Sequence, residues 1–385
     1  VGNPTLKQTF RIQEKERLLS LDVFRGLAVI GMLMVDFPGS WATRFDIFNH
    51  AQWLGITLPD FIFPSFIFIM GVALTFSFQA RKIQGVSATQ LHLTLFRRFI
   101  ILFILGYILN YCWDGGPIIF SQMRLLGVLQ RIGIVYLVVS LSYLHLSLRQ
   151  MVYLGVAVLL AYWSVMTLVP VPGFGPPDLA KYPDGIVPNL ATWVDKTFLG
   201  AMAWKETRPY DPEGILSTFP AISTAIIGVV TGRWLQKQIS KEEKTNQIFV
   251  YGVLLTVIGY AWSLTFPLSK KLWTSSFVLF GGGWSLLLFA SLFWLIDVQK
   301  KAKFIAFPRY YGMNAISAIF LCTVFDNILS RIPIGEIGLK DYLNDHLFRT
   351  WLSDRNASWV YSIVFICLFG LLFRCFYKQK WFIRV

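Results

Sequence analysis

Apolar residues run through this chain in long unbroken blocks, and polar residues collect between the blocks instead of alternating within them. A transmembrane helix needs about 20 predominantly apolar residues. The pattern predicts ten such spans, at about 21 to 38, 59 to 80, 97 to 113, 124 to 144, 150 to 170, 215 to 236, 247 to 268, 273 to 296, 311 to 331 and 357 to 377. The expected fold is an all-α polytopic membrane protein, with residues 1–385 as one transmembrane domain and residues 1–20 as a cytoplasmic leading segment. Two connections are long. The loop 171–214, between spans five and six, begins VPVPGFGPPDLAKYPDGIVPN, where Pro and Gly forbid regular structure, and continues LATWVDKTFLGAMAW, where Leu190, Trp193, Val194 and Leu199 recur at near-helical spacing. A structureless loop of that length is unusual, so it is expected to fold over one face of the bundle. In the loop 332–356, DYLNDHLFRTWLSD sets Leu343, Leu347 and Trp351 four residues apart, which predicts a helix lying in the interface. No internal repeat is visible, which weighs against an inverted-repeat transporter.

Composition agrees: 55% of the residues are apolar and 15% charged. The net charge of +14 raises the question of nucleic acid, but Lys and Arg are spread over many loops and form no stripe, so no nucleic-acid partner is expected. Membrane topology accounts for them better. Loops on the side of the N-terminus carry 21 Lys and Arg and the alternate loops 12, with Arg25 and Arg131 inside spans. By the positive-inside rule both termini are cytoplasmic. The loops at about 39 to 58, 114 to 123, 171 to 214, 269 to 272 and 332 to 356 are then extracytoplasmic. The four cysteines show no metal or redox spacing. The leading VGNPTLKQTFRIQEKER has no apolar core, so it does not read as a cleavable signal and the first span is expected to direct insertion.

Ionisable groups within spans are costly and are functional candidates by default. Asp36 ends span one, Asp60 begins span two, and Asp326 lies in span nine. Arg25 has Asp22 three residues back, and a snorkelling structural role suffices for it. Arg124 and Arg131 fall seven residues apart on expected span four, so they share a helical face, with Arg131 about 10 Å deeper. Arg131, with Gln130 beside it, is expected to face a polar cavity as partner to an acid or an anionic ligand. In RPYDPEGILSTFP, Asp211, Pro212 and Glu213 read equally as a helix start, with Asp211 as N-cap, and as carboxylates able to hold a cationic substrate. In SKKLWTSSFVL, Thr274 or Ser275 suits a helix cap and Trp273 an interfacial anchor. Of four histidines, His92 and His145 fall on the cytoplasmic side, His346 in the second long loop and His50 in a short outer loop between Asp36 and Asp60. No HxxxH or HExxH spacing is present, and no metal site is expected.

The blocks RLLSLDVFRGLAVIGMLMVD, FNHAQWLGITLPDFIFPSFIFIMG, LLGVLQRIG, RPYDPEGILSTFPA, KKLWTSSFVL and YYGMNAISA occur in collinear order over most of the chain. In them the chain resembles the transmembrane acyltransferases of the heparan-alpha-glucosaminide N-acetyltransferase family, including its bacterial members. The resemblance implies acetyl transfer from cytosolic acetyl-CoA to the amine of a glucosamine across a membrane. It matches the family's active-site histidine to His50, and its aspartate and proline to Asp60 and Pro64. Two positions depart from the family pattern: asparagine is common where Asp36 stands, and a polar residue is common where Leu54 stands. The start on the cytoplasmic side suits a bacterial inner-membrane protein.

Sidedness fits this chemistry. His50, Asp36, Asp60, Trp53, Asp211, Glu213, Trp273 and Ser275 map to the outer side, as the expected catalytic and acceptor-binding set. Arg97, Arg98, Gln130, Arg131 and Asn314 form the expected acetyl-CoA set, although Arg97 and Arg98 read more readily as positive-inside anchors. An imidazole, with an ordinary pKa of about 6.5, suits the removal of an amine proton near neutral pH. Asp36 or Asp60 would orient it. His50 is read as a general base in a ternary complex, with transient acetylation of His50 as the rival mechanism. The lipid bilayer and an amino sugar are the expected partners, and pairing into a homodimer is a further expectation. The second function class is a transporter for an amino sugar or N-acetylglucosamine, and the third a structural membrane subunit.

Overall fold

The computed structural model describes residues 18–114, 119–182, 185, 187–301 and 305–382. A backbone surrounded by hydrocarbon must satisfy its own N–H and C=O groups, and each apolar block does so as a helix. In chain order these are α1 (Leu19–Asp36), α2 (Ile62–Ile83), α3 (Ala88–Asp114), α4 (Val128–His145), α5 (Leu148–Leu168), the short α6 (Leu190–Phe198), α7 (Ile215–Leu235), α8 (Lys241–Trp262), α9 (Ser275–Phe293), α10 (Ala306–Met313), α11 (Ala315–Arg331), the short α12 (Leu339–Leu343) and α13 (Asp354–Lys378). Among the described residues seven helices are long and apolar enough to cross a membrane, and eight when the bent pair α10–α11 is taken as one span. The chain is an all-α integral membrane protein. The two remaining expected spans, α1 and α8, are helices too, but α1 carries Asp22, Arg25 and Asp36 and α8 opens Lys241-Glu242-Glu243-Lys244.

Several expected boundaries move, each for a local reason. Helix α3 starts at Ala88, not near 97, because Ser87 and Gln90 cap it reciprocally: Gln90 N donates to Ser87 Oγ, and Ser87 N to Gln90 Oε1, both at 3.3 Å. Helix α4 starts at Val128, which leaves Arg124 outside it. There the Asn110 amide holds the carbonyls of Arg124 (3.2 Å) and Leu126 (3.3 Å), and Leu125 N bonds Met202 O, so the segment is spent on other partners. Arg124 and Arg131 therefore share no helical face. Helix α8 is displaced toward Lys241, where the Ser240 hydroxyl accepts Glu243 N at 3.1 Å. The straight span expected at 311 to 331 is broken: α10 and α11 meet at Asn314 with a bend of 86°.

Small residues let the helices close. A Cβ on Gly71 of α2 would stand 2.1 Å from Ala225 O of α7, and one on Gly228 of α7 would stand 2.1 Å from Phe68 O, so these backbones touch where only glycine fits. Around this contact lies the main core, with Ile67, Leu74, Val135, Val139, Ala221, Val229 and Phe277. Helix α3 is peripheral: 17% of its apolar window is buried in the protein, and Ile100, Ile104 and Ile108 point outward. The long loop after α5 folds over the bundle end, and its helix α6 is capped by Asn189 (Thr192 N to Oδ1, 2.9 Å) and packs on α7. The second long loop opens with a two-stranded hairpin, Pro333–Ile334 with Ile337–Gly338, and the helix expected in it follows as α12, which continues without a break into one wider helical turn at Asn344–Phe348. Buried Lys340 of α12 pairs with Asp326 of α11 at 2.8 Å, which ties that loop to the bundle.

Candidate active site

The connection from α1 to α2 turns through short 3-10 segments at Asp46–Phe48 and Leu58–Phe61. The stretch Thr57-Leu58-Pro59-Asp60 is a local capping unit: Asp60 Oδ2 accepts Thr57 N (2.9 Å), Thr57 Oγ1 (2.9 Å) and Ala51 N (3.2 Å). With that oxygen saturated, Oδ1 faces His50 Nδ1 at 2.7 Å. The carboxylate is 1% exposed and the imidazole 36%, so a fixed buried acid holds a ring that opens outward. An ionised carboxylate only accepts, so Nδ1 carries the proton and the lone pair lies on Nε2. Of the two acids expected to orient His50, Asp60 is the one in contact. Asp36, the last residue of α1, makes no hydrogen bond or ion pair within 4.0 Å among the described residues, though it lies in the field of His50, Lys270, Arg44 and Glu213.

A residue that sequence reasoning missed completes the group. Lys270 Nζ stands 3.2 Å from His50 Nδ1, 3.4 Å from Nε2 and 3.9 Å from Asp60 Oδ1. It comes from the turn between α8 and α9, which is zipped to the histidine loop: Gly55 N donates to Leu268 O (2.7 Å), Ser269 Oγ to Trp53 O (2.9 Å), and Lys271 Nζ to Gln52 O. The signal in the sequence was slight, a Lys-Lys pair in a short loop on the side poorer in basic residues.

The expected acceptor-binding residues are largely committed elsewhere. Asp211 binds Arg124 through both oxygens (Nε 2.9 Å, Nη2 2.6 Å), and Glu213 accepts from the same Nη2. Burial opposes the Arg124 charge, yet Glu213 and Asp211 hold its pKa above the ordinary value; burial likewise pushes Glu213 up, and Arg124 and Arg131 hold it below the usual carboxylate range. The expected helix start at Asp211 is displaced, because α7 begins at Ile215. The cap comes from Asp195 on α6, whose carboxylate accepts Ile215 N at 2.9 Å and Asp211 N at 3.1 Å. Burial raises its pKa to about 7 against the pull of those two N–H groups.

Trp273 is no interfacial anchor. It is fully buried at φ 50°, its ring meets Phe63 and Phe277 edge-on, and its Nε1 donates to Thr224 Oγ1 at 3.2 Å. Ser275 Oγ donates to Leu159 O at 2.7 Å, and Trp53 Nε1 donates to Leu179 O at 2.6 Å while its ring packs on Tyr210.

The expected acetyl-CoA set is spread over the bundle. Arg131 is 1% exposed on α4, with its guanidinium 5.1 Å from the Trp273 ring and Nη2 on Ser217 Oγ and Gly214 O. Its Nε and Nη1, and both amide atoms of fully buried Gln130, have no hydrogen-bond partner among the described residues. Arg98 lies over the Tyr136 ring at 4.6 Å, Arg97 is exposed on α3, and buried Asn314 sits at the α10–α11 break, beside α1. Arg25 pairs with Asp22 and donates to Gly312 O, both at 3.3 Å, which is the structural role expected of it.

A family model described as "Heparan-alpha-glucosaminide N-acetyltransferase, catalytic" matches residues 17–272. The chain is similar to the human heparan-alpha-glucosaminide N-acetyltransferase, 31% identical over 81% of this chain and 53% of that protein. The mouse protein of the same name is 28% identical over 97% of this chain and 61% of its own length. The chain thus spans between half and two thirds of the relatives it matches. The matched segment includes α1 to α8, the His50–Asp60 pair and Lys270, and the chain belongs to the heparan-alpha-glucosaminide N-acetyltransferase family.

Proposed function

We propose that this chain carries an acetyl group from cytosolic acetyl-CoA to the amine of a glucosamine-type sugar on the extracytoplasmic side of a bacterial inner membrane. One observation carries the reading: a buried carboxylate, fixed by three donors on one oxygen, holds His50 Nδ1 at 2.7 Å and leaves the lone pair on Nε2, which Lys270 Nζ meets at 3.4 Å, as the proton acceptor. The two relatives are both named for acetyl transfer to a glucosaminide.

The residues fit a long amide-bearing donor threaded between helices. Buried Gln130 has an unpaired carbonyl and amide, and Arg131, beside the Trp273 ring, has Nε and Nη1 unpaired among the described residues. An unmet buried polar group costs about 1–3 kcal/mol, which the amides of a pantetheine arm and the thioester carbonyl would relieve. Acetyl-CoA supplies the activated acyl group. His50 Nε2 takes a proton from the acceptor ammonium and Asp60 holds the resulting imidazolium; the freed amine attacks the thioester carbonyl carbon, the C–N bond forms as the C–S bond breaks, the proton on His50 goes to the departing thiolate and the second amine proton to solvent. Asp36, in the field of His50 and Lys270, stands where it attracts an ammonium, and its replacement of the family's common asparagine favours a cationic acceptor.

Purified protein should N-acetylate glucosamine in the presence of acetyl-CoA, and His50→Ala should abolish this. Sugar flux into proteoliposomes lacking acetyl-CoA would overturn the enzyme reading in favour of transport. Acid-labile acetyl label on His50, trapped without acceptor, would replace the ternary complex by an acetyl-histidine route.

A further inference from the structure

The Lys270 amine has the surroundings that N-acetylation demands of an acceptor. The reacting amine needs a base within hydrogen-bond reach and a carboxylate field that draws it in as an ammonium. Nζ lies 3.4 Å from His50 Nε2, the one ring nitrogen with a lone pair, so its N–H donates there; the 3.2 Å approach to Nδ1, whose proton is given to Asp60, is proximity only. Asp60 Oδ1 is 3.9 Å away and Asp36 senses the Lys270 charge. The neighbouring Lys271 amine is held on Gln52 O, so among the described residues Lys270 is the lysine that reaches His50.

We infer that Lys270 Nζ stands where an acceptor amine would meet His50, and that donor-loaded protein without acceptor acetylates itself at Lys270. This inference rests on the acetyl-transfer reading above. The side chain is 18% exposed and reaches the ring on a flexible four-carbon stem, so an arriving amino sugar displaces it by rotation of that stem. The zipped loops that carry Lys270 and His50 need not move.

The chemistry balances with acetyl-CoA as the sole co-reactant. The Lys270 ammonium gives a proton to His50 Nε2, and the freed lone pair attacks the thioester carbonyl carbon. The C–N bond forms, the C–S bond breaks, and the CoA thiolate leaves with one proton as the thiol. The second proton of the former ammonium goes to solvent. The product is a neutral amide, inert as an acyl donor, which neither donates as an ammonium nor vacates the base for a sugar. Acetyl supply without acceptor thus switches the site off.

The test is peptide mass spectrometry of the full-length purified protein after incubation with acetyl-CoA alone, with acetyl-CoA plus saturating glucosamine, and with neither. The expected result is one acetyl group on Lys270 with acetyl-CoA alone, strong suppression by glucosamine, loss in His50→Ala, and sugar acetylation falling in proportion to the modified fraction. In Lys270→Arg, acceptor-free incorporation of labelled acetyl should drop to background. An unmodified Lys270 in a preparation that acetylates glucosamine overturns the inference and leaves the acetyl-transfer reading standing. Label on His50 instead of Lys270 also overturns it. If neither amine is acetylated, the acetyl-transfer reading fails and the inference with it.

Discussion

Asp60 divides its carboxylate between two tasks, with one oxygen closing the turn that starts α2 and the other fixing His50. In Asp60→Asn, the amide oxygen would keep the turn contacts and the NH2 group would face Nδ1, forcing the proton onto Nε2 and removing the base. That change should lower the turnover number about 10²–10⁴-fold with the fold intact by circular dichroism; a loss of only a few-fold would show that Nε2 basicity is not used. Arg124 belongs to a different class of residue. It is 12% exposed and clasps two buried carboxylates, so Arg124→Ala leaves charges unpaired and should cost about 3–5 kcal/mol in unfolding experiments. An unchanged unfolding temperature would mean that Asp211 and Glu213 do not depend on Arg124 for their charge balance. The histidine site was legible because the short loop that carries His50 is flanked by Asp36 and Asp60, but which of the two acids meets the ring was not. Lys270 was not, since its contact joins two loops 220 residues apart and no local pattern encodes it. The Arg124 clasp on Asp211 and Glu213 was not legible either, since it joins segments 87 and 89 residues apart.

At the scale of elements, the apolar blocks fixed which segments are helical, while caps and tertiary partners fixed where they begin. Ser87 and Ser240 extended α3 and α8 into polar sequence, and the Asn110 contacts shortened α4. The break at Asn314 has no signal in YYGMNAISA, which lacks a proline at the bend; it follows from α10 packing across α1, where Arg25 holds Gly312 O. Asp195 joins α6 to the start of α7, and its titration has a defined sign. An unfolded carboxyl releases its proton near 3.8, whereas the folded one keeps it to about 7. Its contribution is complete below the lower value and is lost as pH rises through the upper one, by up to about 1.4 kcal/mol per unit. Unfolding temperatures in detergent over about pH 5 to 8 should fall with rising pH and flatten in Asp195→Asn; equal slopes in the two proteins would remove Asp195 as the cause. The α2–α7 contact gives a steric test. Gly71→Leu places a side chain where even Cβ lies 2.1 Å from Ala225 O, so folded yield should collapse, and a normal yield would contradict that packing.

For the whole molecule, the arrangement that matters is its asymmetry. His50, Asp60, Lys270 and the two long loops gather at one end of the bundle, while His92 and His145, 3.4 Å apart, mark the other. Between them Arg131 and Gln130 hold unmet polar atoms inside the protein. That asymmetry supports the proposed transfer through a bilayer. The direct measurement is acetylation across a sealed membrane: protein reconstituted in one orientation, labelled acetyl-CoA confined to the side of the termini, and glucosamine confined to the side of His50. The account predicts N-acetylglucosamine on the His50 side, absent in His50→Ala vesicles that remain sealed. Product formed only when donor and acceptor share a compartment would contradict it.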